Sequence, residues 1–152
     1  MKLKLFVLFI TVLIFSRCEQ YRTSRINGAW QIMEATYTQD GEITVLYPEL
    51  LKGNQLKTFN NNYFTFTGHF WDDSSEFDNY GWGTFQFDGK HYKEINEYHT
   101  FDDYRDKTAE MIIEIHGDTL IQIWPVNETG EVDSMNFNVE KYLRLKTQKR
   151  KS

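Results

Sequence analysis

Apolar and polar residues alternate along most of this chain, and turn dipeptides interrupt the alternation at intervals. A period of two marks strands with one buried face. Beyond residue 27 almost nothing follows the 3.6-residue period of a helix. The pattern predicts strands over 29–38 and 42–47, joined by Asp40-Gly41 and ended by Pro48. Strands over 55–59 and 63–70 follow, split by Asn60-Asn61-Asn62, and residues 71–80 read as an acidic loop. Strands 81–87 and 90–99 flank Asp88-Gly89, and a second acidic stretch covers 101–107. Strands 109–116 and 119–124 flank Gly117-Asp118, and a long connection, 125–135, leads to a last strand over 136–146. Asp-Gly favours the two-residue turns of hairpins, and parallel pairing needs crossovers longer than most of these links. The fold class predicted is all-β: an antiparallel up-and-down β-barrel of about 8–9 strands.

The turns also fix which side chains share a face. With Asp88-Gly89 as a two-residue loop, Phe87 pairs with Lys90. Gly83, Phe85 and Phe87 then share a face with Tyr92, Glu94, Asn96 and Tyr98. Trp82, Thr84 and Gln86 fall opposite, with His91, Lys93, Ile95, Glu97 and His99. The ring-bearing set belongs inside, because outside it would be a large exposed apolar patch. With Asp40-Gly41 as the loop, Ile43 lies opposite Thr38, and Trp30, Ile32, Glu34 and Thr36 share a face with Ile43, Val45 and Tyr47. Phe64, Phe66 and Phe70 point one way, with Gly68 among them. The Gly117-Asp118 hairpin is apolar on both sides and does not decide its face. The candidate ligand-binding set is Glu34, Phe64, Phe66, Phe85, Phe87, Tyr92, Glu94, Asn96 and Tyr98.

The first residues follow a different rule. Met1-Lys2-Leu3-Lys4 is basic, residues 5–15 are apolar, and Ser16-Arg17-Cys18 follows. The apolar run is shorter than the ~20 residues of a membrane-spanning helix and suits an export signal. Cys18 is the only cysteine. Its place predicts a bacterial lipoprotein: signal peptide 1–17, acylation at Cys18, tether 18–27, barrel 28–146 and basic tail 147–152. The alternative is a secreted or periplasmic protein with an incidental cysteine. With Cys18 acylated, no thiol remains for disulfides, thiolate catalysis or cysteine-bound zinc. Removal of Lys2, Lys4 and Arg17 takes the side-chain balance from −5 to −8. That sign repels phosphate backbones, so no nucleic-acid partner is expected. Aromatic residues reach 16% of the chain, enough to fill or line a closed sheet.

The first strand opens with Gly28-Ala29-Trp30, and the last contains Arg144 in Lys141-Tyr142-Leu143-Arg144-Leu145. Gly83-Thr84-Phe85-Gln86-Phe87-Asp88-Gly89 and Tyr92-Lys93-Glu94 lie between them. Over residues 26–146 this resembles the lipocalin-like domains of the calycin superfamily, in particular small bacterial members of unknown function. The resemblance implies a structural role for Gly28, Trp30 and Arg144, with the last-strand basic residue packed across the first-strand tryptophan. It also implies binding of small apolar or amphipathic ligands. Asp102-Asp103-Tyr104 lacks the threonine of the second lipocalin motif, Thr-Asp-Tyr, and reads as an acidic loop.

Other chemistry finds little support. His91 and His99 share a predicted face but stand eight residues apart, about 26 Å at ~3.3 Å per residue. His69 and His116 have no ligand-spaced partner. The acidic runs at 72–76 and 102–103 lack the glycine-turned loop of a calcium site. No metal, cofactor or catalytic residue is assigned. Glu34 and Glu94 are inward carboxylates without a nucleophile–base pair, so an enzyme ranks last. The first functional expectation is a lipid-anchored barrel at the cell envelope that binds a small apolar or amphipathic ligand. The second is an envelope interaction protein with a filled barrel, contacting partners through Trp71, Trp82 and its acidic loops. For the export expectation, intact mass of the membrane fraction should show loss of residues 1–17 plus acyl mass on Cys18. A soluble product cut elsewhere, with Cys18 free, would refute it.

Overall fold

In the computed structural model, which describes residues 25–146, the alternating segments become nine strands. They are β1 (Gly28–Gln39), β2 (Glu42–Tyr47), β3 (Lys52–Asn60), β4 (Tyr63–Trp71), β5 (Glu76–Phe87), β6 (His91–His99), β7 (Lys107–His116), β8 (Thr119–Trp124) and β9 (Phe137–Arg144). A single 3₁₀ turn, Asp102–Tyr104, links β6 to β7. The signal segment, Cys18, most of the tether and the basic tail lie outside the described residues.

The sheet runs β2-β1-β3-β4-β5-β6-β7-β8-β9, and β1 also pairs with β9. That pairing closes an eight-stranded antiparallel, up-and-down barrel, with β2 as an added strand. The lower part of β1, residues 28–31, pairs with β3, whereas residues 35–39 pair with β2 on the same edge. The architecture is therefore the all-β, antiparallel up-and-down barrel that the alternation and the turns indicate.

Several expectations are corrected. The acidic loop is only 72–75, where the Asp72 carboxylate accepts from the Ser74 and Ser75 amides at 2.7 Å each. Residues 76–80 are strand instead, because Phe77 pairs with Phe70 and stacks on it at 5.6 Å. At the β5–β6 turn, Phe87 pairs with Tyr92 rather than Lys90. Asp88 caps the Lys90 and His91 amides and widens the loop. A shift of two residues keeps every side chain on its face. Three bulges do change faces. Ala35 pairs with Tyr47 and Thr36 with Val45, so Leu46 is extra and Tyr47 no longer shares a face with Ile43 and Val45. Ile32 pairs with Tyr142 and Glu34 with Lys141, so Met33 is an extra residue. Glu34 is thereby turned outward, into a half-exposed ion pair with Lys141 at 2.5 Å. Gly83 pairs with Asn96 and Trp82 with Tyr98, so Glu97 is extra. Tyr98 leaves the interior for the face of Trp82, and His99 takes its place inside. A bulge inserts one residue and reverses the alternation beyond it.

The base is built around Trp30. Its ring is fully buried, its Nε1 donates to the Ile26 carbonyl at 2.8 Å, and the Arg144 guanidinium lies 3.9 Å from the ring centre. Arg144 also donates to the carbonyls of Asn27 at 2.6 Å and Arg25 at 2.5 Å. Gly28 is required beneath it: its φ is +130°, and a Cβ would stand 2.8 Å from Arg144 Nη1. Above this plug, Ile32, Phe59, Phe64, Phe85, Tyr92, Met111, Ile113, Leu120 and Tyr142 form a buried core.

Truncating Trp30 to alanine is expected to cost about 3–5 kcal/mol, and Arg144→Met about 1–3 kcal/mol through its unpaired carbonyls. Urea unfolding followed by circular dichroism reads both. An Arg144→Met midpoint equal to wild type would show that the guanidinium does not lock the base.

Candidate functional site

Inside the barrel, between the plugged base and the loops at the other end, lies a polar cluster. It starts at β3, where the two-residue Asn61-Asn62 turn sets Phe59 opposite Phe64 and Lys57 opposite Phe66. Lys57 therefore points inward, 5% exposed. Its ammonium lies 5.3 to 6.0 Å from the ring centres of Phe59, Phe64, Phe66 and Tyr92. Such an aromatic cage favours a cation. Lys57 Nζ donates to Glu94 Oε2 at 3.2 Å, and the Tyr92 hydroxyl donates to the same oxygen at 2.9 Å.

A second chain of hydrogen bonds ends on another carboxylate. Asn79 Nδ2 donates to Gln55 Oε1 at 2.9 Å, Gln55 Nε2 to the Tyr142 hydroxyl at 2.7 Å, and Tyr142 to Glu140 Oε2 at 2.5 Å. Three amide oxygens in the interior have no partner among the described residues: Asn79 Oδ1, Asn96 Oδ1 and Gln122 Oε1. Asn96 and Gln122 are 3% and 2% exposed.

Glycines make room for the rings that wall the cluster. A Cβ on Gly81 would meet Phe66 at 2.7 Å, and one on Gly83 would meet the Ile95 carbonyl at 1.9 Å and Phe64 at 3.0 Å. Phe64 and Phe66 lie nearly parallel, 6.3 Å apart, across from these glycines. From Phe66 the ring contacts continue upward through His99 at 5.2 Å to Phe101 and Tyr104 at 5.6 and 4.9 Å. Phe70, Phe77 and Tyr47 complete this end, the mouth of the barrel.

Burial governs the titration of these groups. Loss of solvent, and then the charge of Glu94, pushes the Tyr92 hydroxyl well above its ordinary value. Loss of solvent, and then Glu140, does the same for Tyr142. Part of the Glu140 surface is accessible, yet the carboxyl is surrounded deeply enough that desolvation raises its pKa. The unfolded chain ionises Glu140 first, so this group costs stability as pH rises above about 4.5. Desolvation lowers His99 below its ordinary 6.5, which leaves the imidazole neutral at pH 7. Its contribution runs the other way: the unfolded chain takes the proton first, and stability is lost as pH falls below 6.5.

Of the sequence-derived candidates, Phe64, Phe66, Phe85, Tyr92, Glu94 and Asn96 come together in the buried interior, and Phe87 is half-buried beside Tyr92. Glu34 and Tyr98 do not join them; Tyr98 packs outside between Tyr80 and Arg105. Lys57, Gln55, Asn79, Gln122, Glu140 and Tyr142 were missed. For Lys57 and Gln55 the signal was present, since a two-residue Asn61-Asn62 turn puts both on the face of Phe64 and Phe66.

An open groove of about 1400 Å³ runs along the β5–β6 hairpin beside residues 126–130, and it touches the buried interior only at Phe85, Tyr92 and Met111. Phe87, Tyr92, Met111 and Val126 line it together with Lys93 and Glu110, and it does not reach Lys57, Glu94 or Asn96. Its charged side chains Lys93 and Glu110 are half-exposed, whereas Lys57 and Glu94 of the interior are buried. No protein-family model matches the chain, and no curated protein matches it either.

Glu94→Gln leaves Lys57 buried without its hydrogen-bonded counter-charge and is expected to cost about 3–5 kcal/mol. Adding Lys57→Met should restore at least half of the loss, measured as the urea midpoint. Additive losses in the double variant would show that the two groups are not coupled.

Proposed function

We propose that the barrel binds a small amphipathic ligand in its interior, at the bacterial cell envelope. One observation carries the reading: a polar cluster with two carboxylates, one ammonium and three unpaired amide oxygens occupies the interior. Well-packed apolar residues of similar volume would be as stable or more stable there. Glu140 and the unpaired amides cost folding free energy. A ligand that supplies the missing partners accounts for their presence. The apolar rings from Phe66 to Phe101 would bury its body, and the polar groups would set its orientation.

The location belongs to the same proposal. The chain enters the barrel at Arg25, at the base beside Arg144. A lipid on Cys18 would hold that end near the membrane and leave the mouth facing away. The closed eight-strand barrel and the Trp30–Arg144 contact support kinship with the lipocalins. The chemistry favours a binding protein over an enzyme, because the carboxylates are engaged by Lys57, Tyr92 and Tyr142. A second reading, an interaction protein with a filled barrel, draws on the outer groove and on Trp71 and Trp82, each 45% exposed.

Asn96→Leu separates the two. It removes an unpaired buried oxygen at little change in volume, so thermal stability should hold or rise. Native mass spectrometry of protein from its own cells should show a non-covalent small-molecule adduct on the wild type that the variant loses. Bare wild-type protein under gentle ionisation would overturn the interior-binding reading and favour the second.

A further inference from the structure

The interior cluster has a consistent polarity. Apart from the Gln122 amide, which donates to Met111 Sδ, its hydrogen bonds run toward a carboxylate: Asn79 to Gln55 to Tyr142 to Glu140 on one side, Lys57 and Tyr92 to Glu94 on the other. Glu94 and Glu140 are two acidic groups facing one ammonium, Lys57, and His99 above them is neutral at pH 7. What remains unpaired is acceptors. The orientations of Asn79 and Gln122 are set by their donations to Gln55 Oε1 and Met111 Sδ, which leaves their oxygens free. Asn96 Oδ1 is the third. The unpaired buried donor among the described residues, Arg105 Nε, belongs to a guanidinium that lies over Tyr98 on the outer face. A cluster short of one cation and short of donors calls for a group that is both.

Resting on the ligand-binding reading above, we infer that the ligand's head is a protonated primary amine, an alkyl- or arylalkyl-ammonium. It sits among Glu94, Glu140 and Asn96, with its apolar body toward the rings of Phe66, Phe77 and Phe101. An ammonium carries three donors and no acceptor, which matches unpaired amide oxygens beside carboxylates. A carboxylate head would face two like charges in a low-dielectric site, and an alcohol would supply one donor and no charge.

The test compares three heads on one tail. Octylamine, octanol and octanoate, each below its aggregation concentration, are titrated calorimetrically into the mature protein at pH 7. Octylamine is expected to bind about tenfold or more tightly than octanol, with octanoate weakest. In Glu140→Gln the preference for amine over alcohol should shrink by about tenfold while octanol binding persists. An unchanged preference in a folded Glu140→Gln protein would overturn the placement of the head. Should that variant fail to fold by circular dichroism, the wild-type ranking decides. Octanol or octanoate binding as well as the amine would overturn the head-group inference and leave interior binding standing. No binding of any of the three would overturn both.

Discussion

Eight residue pairs between β1 and β9, from Trp30–Arg144 to Thr38–Phe137, turn an open sheet into a barrel. Without them the first and last strands of the barrel would each present unpaired backbone to solvent, and one whole apolar face would lie in water. Closure satisfies both edges at once and creates an interior where none existed. Arg144 fixes where the closure begins. Its guanidinium lies on the Trp30 ring and takes the carbonyls of Arg25 and Asn27, so the entering chain, the first strand and the last strand meet at one side chain. Gly28 follows from the same contact, because no side chain fits beneath the guanidinium.

Closure makes the polar interior possible and also makes it costly. Lys57 comes from β3 and Glu94 from β6, and the two meet only because the sheet curves back on itself. Tyr142 from β9 meets Gln55 from β3 for the same reason. In this enclosed space a pair is held strongly, and an unpaired acceptor is penalised strongly. The paired groups make one arrangement of side chains unique. The unpaired ones, Asn79, Asn96 and Gln122, are what packing alone leaves unexplained.

Small residues set the shape of the space. Gly81 and Gly83 let Phe66 and Phe64 lie against the β5 backbone, so two large rings occupy depth that side chains of β5 would otherwise fill. Over the mouth, β1 leaves β3 and pairs with β2, and no ladder joins β2 to β3. Tyr47 and Phe70 meet edge to face near this break, 5.9 Å apart. The barrel is therefore fully laddered at its base and interrupted toward its mouth.

The sequence by itself determined the strands, their antiparallel order and most of the facing. Alternation and turn chemistry are local, and local patterns survive in a one-dimensional reading. Asp40-Gly41 set Thr38 opposite Ile43, as the ladder has it. The face of Phe85, Tyr92, Glu94 and Asn96 survived a wrong loop length because the error was two residues. Only the tertiary structure decided Glu34, Tyr98 and His99. Each lies beyond a bulge, and the extra residues, Met33 and Glu97, have no mark that separates them from ordinary strand positions. Only the closed barrel decided that Lys57 would meet Glu94 and that Tyr142 would meet Gln55. Those partners stand 37 and 87 residues apart, and curvature rather than sequence spacing brings them together.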